Sequence, residues 1–374
     1  MTMSAETSQR SEAPCDRDRQ QVEPVLDHGG LLAAGPAART GPAGKGQAAL
    51  TPDEVASVIS VAARAPSLHN SQPWKFRPSR AGIDLLADPD RMLRALDPAG
   101  RELVISCGAA LFGLRLGLRK LGRLPVIELQ PQPEEPWLLA RVGAQGHAAP
   151  TRAEADMIAA VPHRHTHRGP FTPGEVPTRL LATLATDALA EGCTLLLISD
   201  QAVVARLDGL VRRAAAEQRG NAEITAELDR WVRPVGSEAR DGVPAWARLA
   251  ATAGPEQHGV TTADAGELAP RDFGVPGTED EGGAPPSATM VLLTPEDTAA
   301  DWLRAGQALD RVLLRAAARW VFARLQTQPL ESPRYRRQVR ALLGHDGYPQ
   351  MLLQFGRANT AAATPRRPHT HLLG

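Results

Sequence analysis

The sequence predicts a mixed fold of helices and strands, arranged as two units of similar order. Three observations predict it. Long stretches place apolar residues at helical spacing, as Val55, Val58, Ile59 and Ala62 do in "TPDEVASVISVAARA". Short apolar runs such as "CTLLLISD" and "ATMVLLTP" alternate with them and read as strands. The order helix, strand, long helix, strand then occurs twice, although no strict repeat is visible.

The elements follow from local chemistry. Residues 1–48 are polar and then rich in Gly, Ala and Pro, and read as a disordered leader. Thr51, Pro52 and Glu54 open the first helix with a good cap, a proline in the first turn and a capping box. That helix ends before Pro66. "WKFRPS" and "GIDLLAD" read as strands. "GRELVISCGAALFGLRLGLRKLGR" is a long apolar helix with Arg115, Arg119 and Lys120 on its outside. "LPVIELQP" and "PWLLARVG" are strands, and a first unit closes near residue 150. "EADMIAAV", "PTRLLATLATDALAEG", "QAVVARLDGLVRRAAAEQ" and "AEITAELDRWV" read as helices. Residues 234–286 are rich in Gly, Pro, Asp and Glu, with a brief helical stretch around Trp246. "AADWLRAGQALDRVLLRAAARWVFARL" reads as one long helix, "SPRYRRQVRALLG" as a shorter one and "PQMLLQFGRA" as the last strand.

Bulk properties exclude several classes. The chain has 374 residues, with 42 Lys and Arg against 42 Asp and Glu. A net charge of zero argues against a general nucleic-acid or anionic-membrane surface, though not against a local anion site. Cys15, Cys107 and Cys193 are scattered, so neither a disulfide framework nor a zinc site is expected. No signal core and no run of about 18 apolar residues appears. The expectation is a cytoplasmic protein without nucleic-acid or membrane partners.

Three stretches could carry chemistry. "APSLHNSQPW", residues 65–74, is a stiff polar loop between a helix and a strand, a place where sites often form on a rigid scaffold. Its plain alternative is a rigid connection. "RHTHRGPF", residues 164–171, is in isolation a basic turn leading to Pro170. His163, His165 and His167 alternate there, but they lack carboxylate or Cys company, so no metal is expected. "QFGRANTAAATPRRPH" ends the chain with Arg357, Arg366 and Arg367, either a second basic contribution or a solvated tail.

"APSLHNSQPWKF" resembles the flavin-lining loop of the nitroreductase family of FMN-dependent oxidoreductases, and "RHTHRGPF" resembles that family's Arg-Ser/Thr signature. The resemblance covers about residues 50–374. It implies an α+β, three-layer nitroreductase-like fold, FMN as cofactor and NAD(P)H as electron donor. Turnover would be ping-pong, toward a small-molecule acceptor such as a nitroaromatic or a quinone. It places Pro66, Ser67, Leu68, Asn70 and Gln72 beside the flavin. Arg164 and Thr166 would meet phosphate or ribityl oxygens, with His165 nearby, Arg168 as a weaker candidate, and Arg357 or Arg366 closing the phosphate cradle. No protein residue is expected to act as acid or base.

The family's motif order is reversed here. The loop comes first, the Arg-Thr signature about a hundred residues later, and the second unit has no Pro-Ser-Asn loop of its own. Each unit keeps one half of a site. The chain therefore resembles the fused, Acg-type branch: two modules, 49–150 and 151–374, forming a monomeric pseudo-dimer or weak homodimer with one flavin. Residues 234–286 are the expected lid. Two other functions stay open: a protein that sequesters FMN under that lid, and a tailoring oxidase that uses oxygen.

Overall fold

The structure is a computed structural model that describes residues 49–168, 171–244, 287–359 and 364–374. The expected leader, the brief helix around Trp246 and most of the expected lid lie outside the described residues.

Helix α1 (Pro52–Ala62) starts as its sequence predicts. The Thr51 side chain accepts from the Glu54 amide, and the Glu54 carboxylate accepts from the Thr51 amide. After it come β1 (Trp74–Ser79), β2 (Gly82–Ala87), helix α2 (Arg101–Lys120), β3 (Arg123–Leu129) and β4 (Leu138–His147). These strands form one antiparallel sheet in the order β1-β2-β4-β3. Alternation sets its faces. Trp74, Phe76, Ile83 and Leu85 turn into the core, while Arg77, Asp84 and Arg141 pair with one another.

Helix α3 (Arg152–Ala160) leads to the second unit: α4 (Thr178–Ala190), β5 (Thr194–Leu197), α5 (Gln201–Gly220) and α6 (Ala222–Asp229). The short strands β6 (Val232–Arg233) and β7 (Val243–Pro244) pair in parallel. Then come β8 (Ala288–Thr294), α7 (Ala299–Ala317), β9 (Val321–Leu325), α8 (Gln328–Glu331), α9 (Pro333–Leu343) and β10 (Tyr348–Arg357). The second sheet is antiparallel in the order β5-β8-β10-β9. Matched element by element, this is the order of the first sheet. The duplication is much clearer in the strand order than in the residues.

Both sheets pack on a central pair of helices, α2 against the first and α7 against the second. The two helices cross at their eighth residues, Gly108 and Gly306. A Cβ on Gly306 would lie 2.7 Å from the Gly108 Cα, so only glycine admits the approach. The order through the middle is sheet, helix pair, sheet, which is a three-layer α+β fold. The second sheet is also covered on its far face, where Val291, Leu293 and Leu352 meet Leu207, Leu210, Tyr335 and Val339 from α5 and α9.

Two sequence expectations are corrected. The long helix expected through Leu325 stops at Ala317, and the chain turns through Trp320, at φ +55°, into β9. Val321 and Phe322 gain more as a strand paired with β10 and buried in the core than as a further helical turn. Arg119, expected on the outside of α2, is buried. Its guanidinium binds the Glu154 carboxylate and the carbonyls of Ala148 and Ala149. Among the described residues no helix is long and apolar enough to cross a membrane.

Candidate active site

The loop after α1 is strained. Residues 63–73 join α1 to β1, and His69, Asn70 and Gln72 all have positive φ, at 49°, 56° and 51°. Each such residue costs about 1 kcal/mol, so neighbours must hold the loop in place. They come from the second unit. Asn70 Nδ2 donates to the Gly242 carbonyl at 2.9 Å and the Pro365 carbonyl at 3.0 Å, and its Oδ1 accepts from Arg366 Nη1 at 2.7 Å. Gln72 Nε2 donates to the Arg240 carbonyl at 2.8 Å, and its Oε1 accepts from the Arg367 amide at 2.9 Å. Within the loop, Ser67 Oγ accepts from the Gln72 amide at 3.0 Å. The Leu68 amide donates to Ser106 Oγ on α2 at 3.3 Å. Pro66 is buried at the turn out of α1.

Next to the loop stands a cluster of arginines. Residues 164–167 run beside β9: Thr166 bridges to Ala323, and the His167 amide donates to the Ala323 carbonyl. This sets Arg164 against the carboxyl end of α1, where its Nη2 donates to the Arg64 carbonyl at 2.8 Å. Arg366 Nη2 reaches the Ala65 carbonyl at 3.2 Å. A helix carboxyl end favours cations. Arg64 donates in turn to the Pro162 carbonyl. Asp310, on α7, is the carboxylate that faces them, 3.8 Å from Arg164 Nε, with both side chains almost fully buried.

This cluster is under-neutralised. Burial, then Arg164, Arg64 and Arg168, push the Arg366 pKa well down. Burial and Arg64 lower that of Arg164, with Asp310 opposing. Burial pushes Asp310 up to about 6, against the pull of Arg164 and Arg366. Arg164 Nη1, Arg366 Nε and Asp310 Oδ1 are buried without a hydrogen-bond partner among the described residues. Leaving such atoms unpaired costs about 1–3 kcal/mol each. A divalent anion with several acceptor oxygens would partner the two orphaned guanidinium donors and offset the excess positive charge, so the arginines fit a phosphate.

The remaining candidates lie around it. His165 packs on Phe322, its Nδ1 3.1 Å from the His163 carbonyl. Burial pushes its pKa down to about 4, so it is neutral at pH 7. Arg168 is close enough to depress the Arg366 pKa. Arg357 stands apart, its Nε donating to the Glu175 carbonyl at 3.1 Å. Each of the alternating histidines meets an aromatic ring: His163 stacks on Trp320, His165 lies tilted against Phe322 and His167 stacks on Phe171, while the rings of His165 and His167 meet edge to face with centroids 5.9 Å apart. Among the described residues no group of three His, Cys, Asp or Glu is placed to hold a metal.

Comparison with known proteins follows this geometry. The chain is 36% identical over 334 residues to a Mycobacterium tuberculosis H37Rv protein named "Putative NAD(P)H nitroreductase Rv3131", covering 87% of this chain and 93% of that one. It is 31% identical over 333 residues to a second from the same strain, "Putative NAD(P)H nitroreductase acg", covering 85% and 95%. The chain belongs to the nitroreductase family. Among solved structures, the FMN-dependent nitroreductase NfnB of Mycobacterium smegmatis, in complex with NADPH, matches 60% of this chain and 97% of its own. Its identity is 20% and its TM-score 0.37. No family model matches the chain.

Two residues of the cluster were not singled out in the sequence. Arg64 had a weak signal, as a basic residue in the last turn before Pro66. Asp310 had a better one, as a carboxylate on the buried face of an amphipathic helix.

Proposed function

We propose that the chain is an FMN-dependent NAD(P)H oxidoreductase that reduces a small acceptor, such as a nitroaromatic or a quinone. The observation that carries this reading is the pair of orphaned guanidinium donors, Arg164 Nη1 and Arg366 Nε, in the buried Arg164–Arg366–Asp310 cluster. Arg64, Arg164, Arg168 and Arg366 would hold the flavin phosphate, with Thr166 beside them. The bound flavin supplies the hydride chemistry. The names of the mycobacterial relatives support the nicotinamide donor.

The protein's own part is positional. The strained loop forms a wall that cannot drift, because Asn70 and Gln72 tie it to residues 240–242 and 365–367. The Asn70 side chain is spent on these ties, so contacts of the loop with the ring edge would come from backbone groups near Ser67, the Leu68 amide being held by Ser106. One flavin per chain follows. The connection after α4 is only residues 191–193, with no counterpart of the loop.

One observation favours the sequestering reading as a second possibility. The described start of the expected lid is clasped to the loop, with Gly242 and Asn70 exchanging two hydrogen bonds and Asp241 paired with Arg91. The test is an anaerobic visible spectrum of the flavin-loaded protein before and after NADPH and NADH. Bleaching is expected. A flavin spectrum that neither donor bleaches would refute the reductase reading and leave the sequestering one.

A further inference from the structure

We infer that Asp310 is the standing counter-ion of the arginine cluster, and that it competes with the incoming anion, so that anion affinity is higher when Asp310 is protonated. The inference rests on reading the cluster as a phosphate site.

The fold does not call for a carboxylate at this place. Asp310 is the twelfth residue of α7, and the twelfth residue of α2 is Phe112, packed among Val61, Leu116 and Met157. Among the described residues Asp310 makes one long ion pair, with Arg164. Its Oδ1 has no hydrogen-bond partner among the described residues, and the nearest cation, Arg164 Nε, is 3.8 Å away. A buried carboxylate held so loosely persists because positive charge surrounds it. The charged groups facing it are Arg164, from the segment beside β9, and Arg366, from the chain end. Behind these stand Arg64, at the end of α1, and Arg168. Four guanidinium groups against one carboxylate still leave an excess of positive charge. A divalent anion removes the excess, and Asp310 then becomes a like charge sharing the same arginines.

The sign follows from linkage. Asp310 titrates near 6 without the anion. A neighbouring anion raises that value, so binding takes up a proton. Affinity for an anion of fixed charge therefore rises as pH falls from 8 and levels off below about 6. His165, with its pKa near 4, titrates below this window.

Sulfate is the suitable probe, because its charge is constant over the range while that of phosphate is not. The experiment measures sulfate binding to the flavin-free full chain by calorimetry from pH 5 to 8, with chloride at equal ionic strength as control, for the wild type and Asp310→Asn. In the wild type, affinity should rise about 2- to 5-fold between pH 8 and pH 6, the change expected from a pKa near 6 raised by about half to one unit. Asp310→Asn should bind sulfate more tightly than the wild type at pH 8, show no slope, and melt at a lower temperature when sulfate is absent. A slope that survives in Asp310→Asn, or weaker binding by that variant at pH 8, would overturn the role of Asp310 and leave the anion site standing. Absence of sulfate binding to the wild type at every pH would overturn the anion site itself. If Asp310→Asn does not fold, Asp310→Glu keeps the carboxylate and should keep the slope, and a flat wild-type profile still refutes the inference.

Discussion

The two units share a strand order but solve the same packing problem differently. In the first, α1 meets α2 through glycines. The thirteenth and seventeenth residues of α2 are Gly113 and Gly117, and a Cβ there would lie 2.6 Å from the Ala62 Cα and 2.9 Å from the Val58 Cα. In the second unit the same places on α7 hold Arg311 and Arg315, which pair with Asp187 on α4, Arg311 also reaching Glu191. Close backbone contact fixes α1 as a rigid base for the strained loop at 63–73. The ion-paired α4 supports only the short connection at 191–193. The asymmetry shows how a duplicated fold can keep the strained loop and its rigid base in one copy only.

The largest effect should come where the halves meet. Gly306→Val would push a branched side chain into the α2 backbone near Ile105 and Gly108. Such overpacking costs about 3 kcal/mol or more when the neighbour is backbone. The urea midpoint should fall sharply, or the chain should fail to fold. A midpoint within a few tenths molar of the wild type would mean that the central crossing is looser than described.

The next effect is on flavin, not on folding. Arg164→Ala and Arg366→Ala each remove a charged donor set from the cluster, about 1.5–3 kcal/mol, or roughly 10- to 100-fold in FMN affinity. Arg357→Ala should be neutral, since Arg357 serves the Glu175 carbonyl. Fluorescence titration with FMN reads all three, and circular dichroism checks the fold. Equal losses in the three variants would mean that the cradle is not centred on Arg164 and Arg366.

Smaller effects separate the two helix contacts. Gly113→Ala should cost about 1–3 kcal/mol and be insensitive to salt, because the conflict is steric. Arg311→Ala should cost about 1 kcal/mol at low ionic strength and less at high, because Arg115 and Arg315 still serve the carboxylates and the pairs are partly exposed. Urea midpoints at 0.05 and 1 M salt, both experimental settings, make the comparison. A matching salt response in both variants would erase the distinction drawn between the units.

Much of this was legible in the sequence. Thr51, Pro52 and Glu54 announced α1, and Pro66 announced its end, because caps and prolines are local signals. The loop announced itself by an apolar run giving way to Ser67, Asn70 and Gln72. Arg164 and Arg366 could be singled out, but their meeting was expected only through the family resemblance, not from local signals, since the tail and residues 164–168 are joined only by the fold. The end of α7 was hidden. "LLRAAARWVFARL" holds neither Gly nor Pro, and the turn is made by Trp320, which sequence rules place inside a helix or strand. Arg119 read as surface because it follows helical periodicity, while its partners Ala148 and Ala149 lie on a return of the chain that periodicity does not reveal.

The smallest contrast lies in how the two central helices begin. α7 starts at Thr298, whose side chain accepts from the Asp301 amide in a capping box. α2 starts at Gly100, in the left-handed region, with no side-chain cap of its own, and Asp97 reaches across instead to accept from the Leu103 amide at 2.9 Å. Losing either acceptor costs about 1 kcal/mol. Their pH behaviour differs, however. Burial, and then Glu102, push the Asp97 pKa up to about 7, against about 3.9 in the unfolded chain. A raised carboxyl pKa means that the native state holds a proton which the unfolded state has lost. Its contribution is complete below about pH 4 and is lost as pH rises through 7. The cost of Asp97→Ala should therefore shrink between pH 5 and pH 8, while that of Thr298→Ala stays level because its hydroxyl does not titrate. Urea denaturation of both variants at the two pH values decides it. A parallel response would place the Asp97 carboxylate in water rather than under α2.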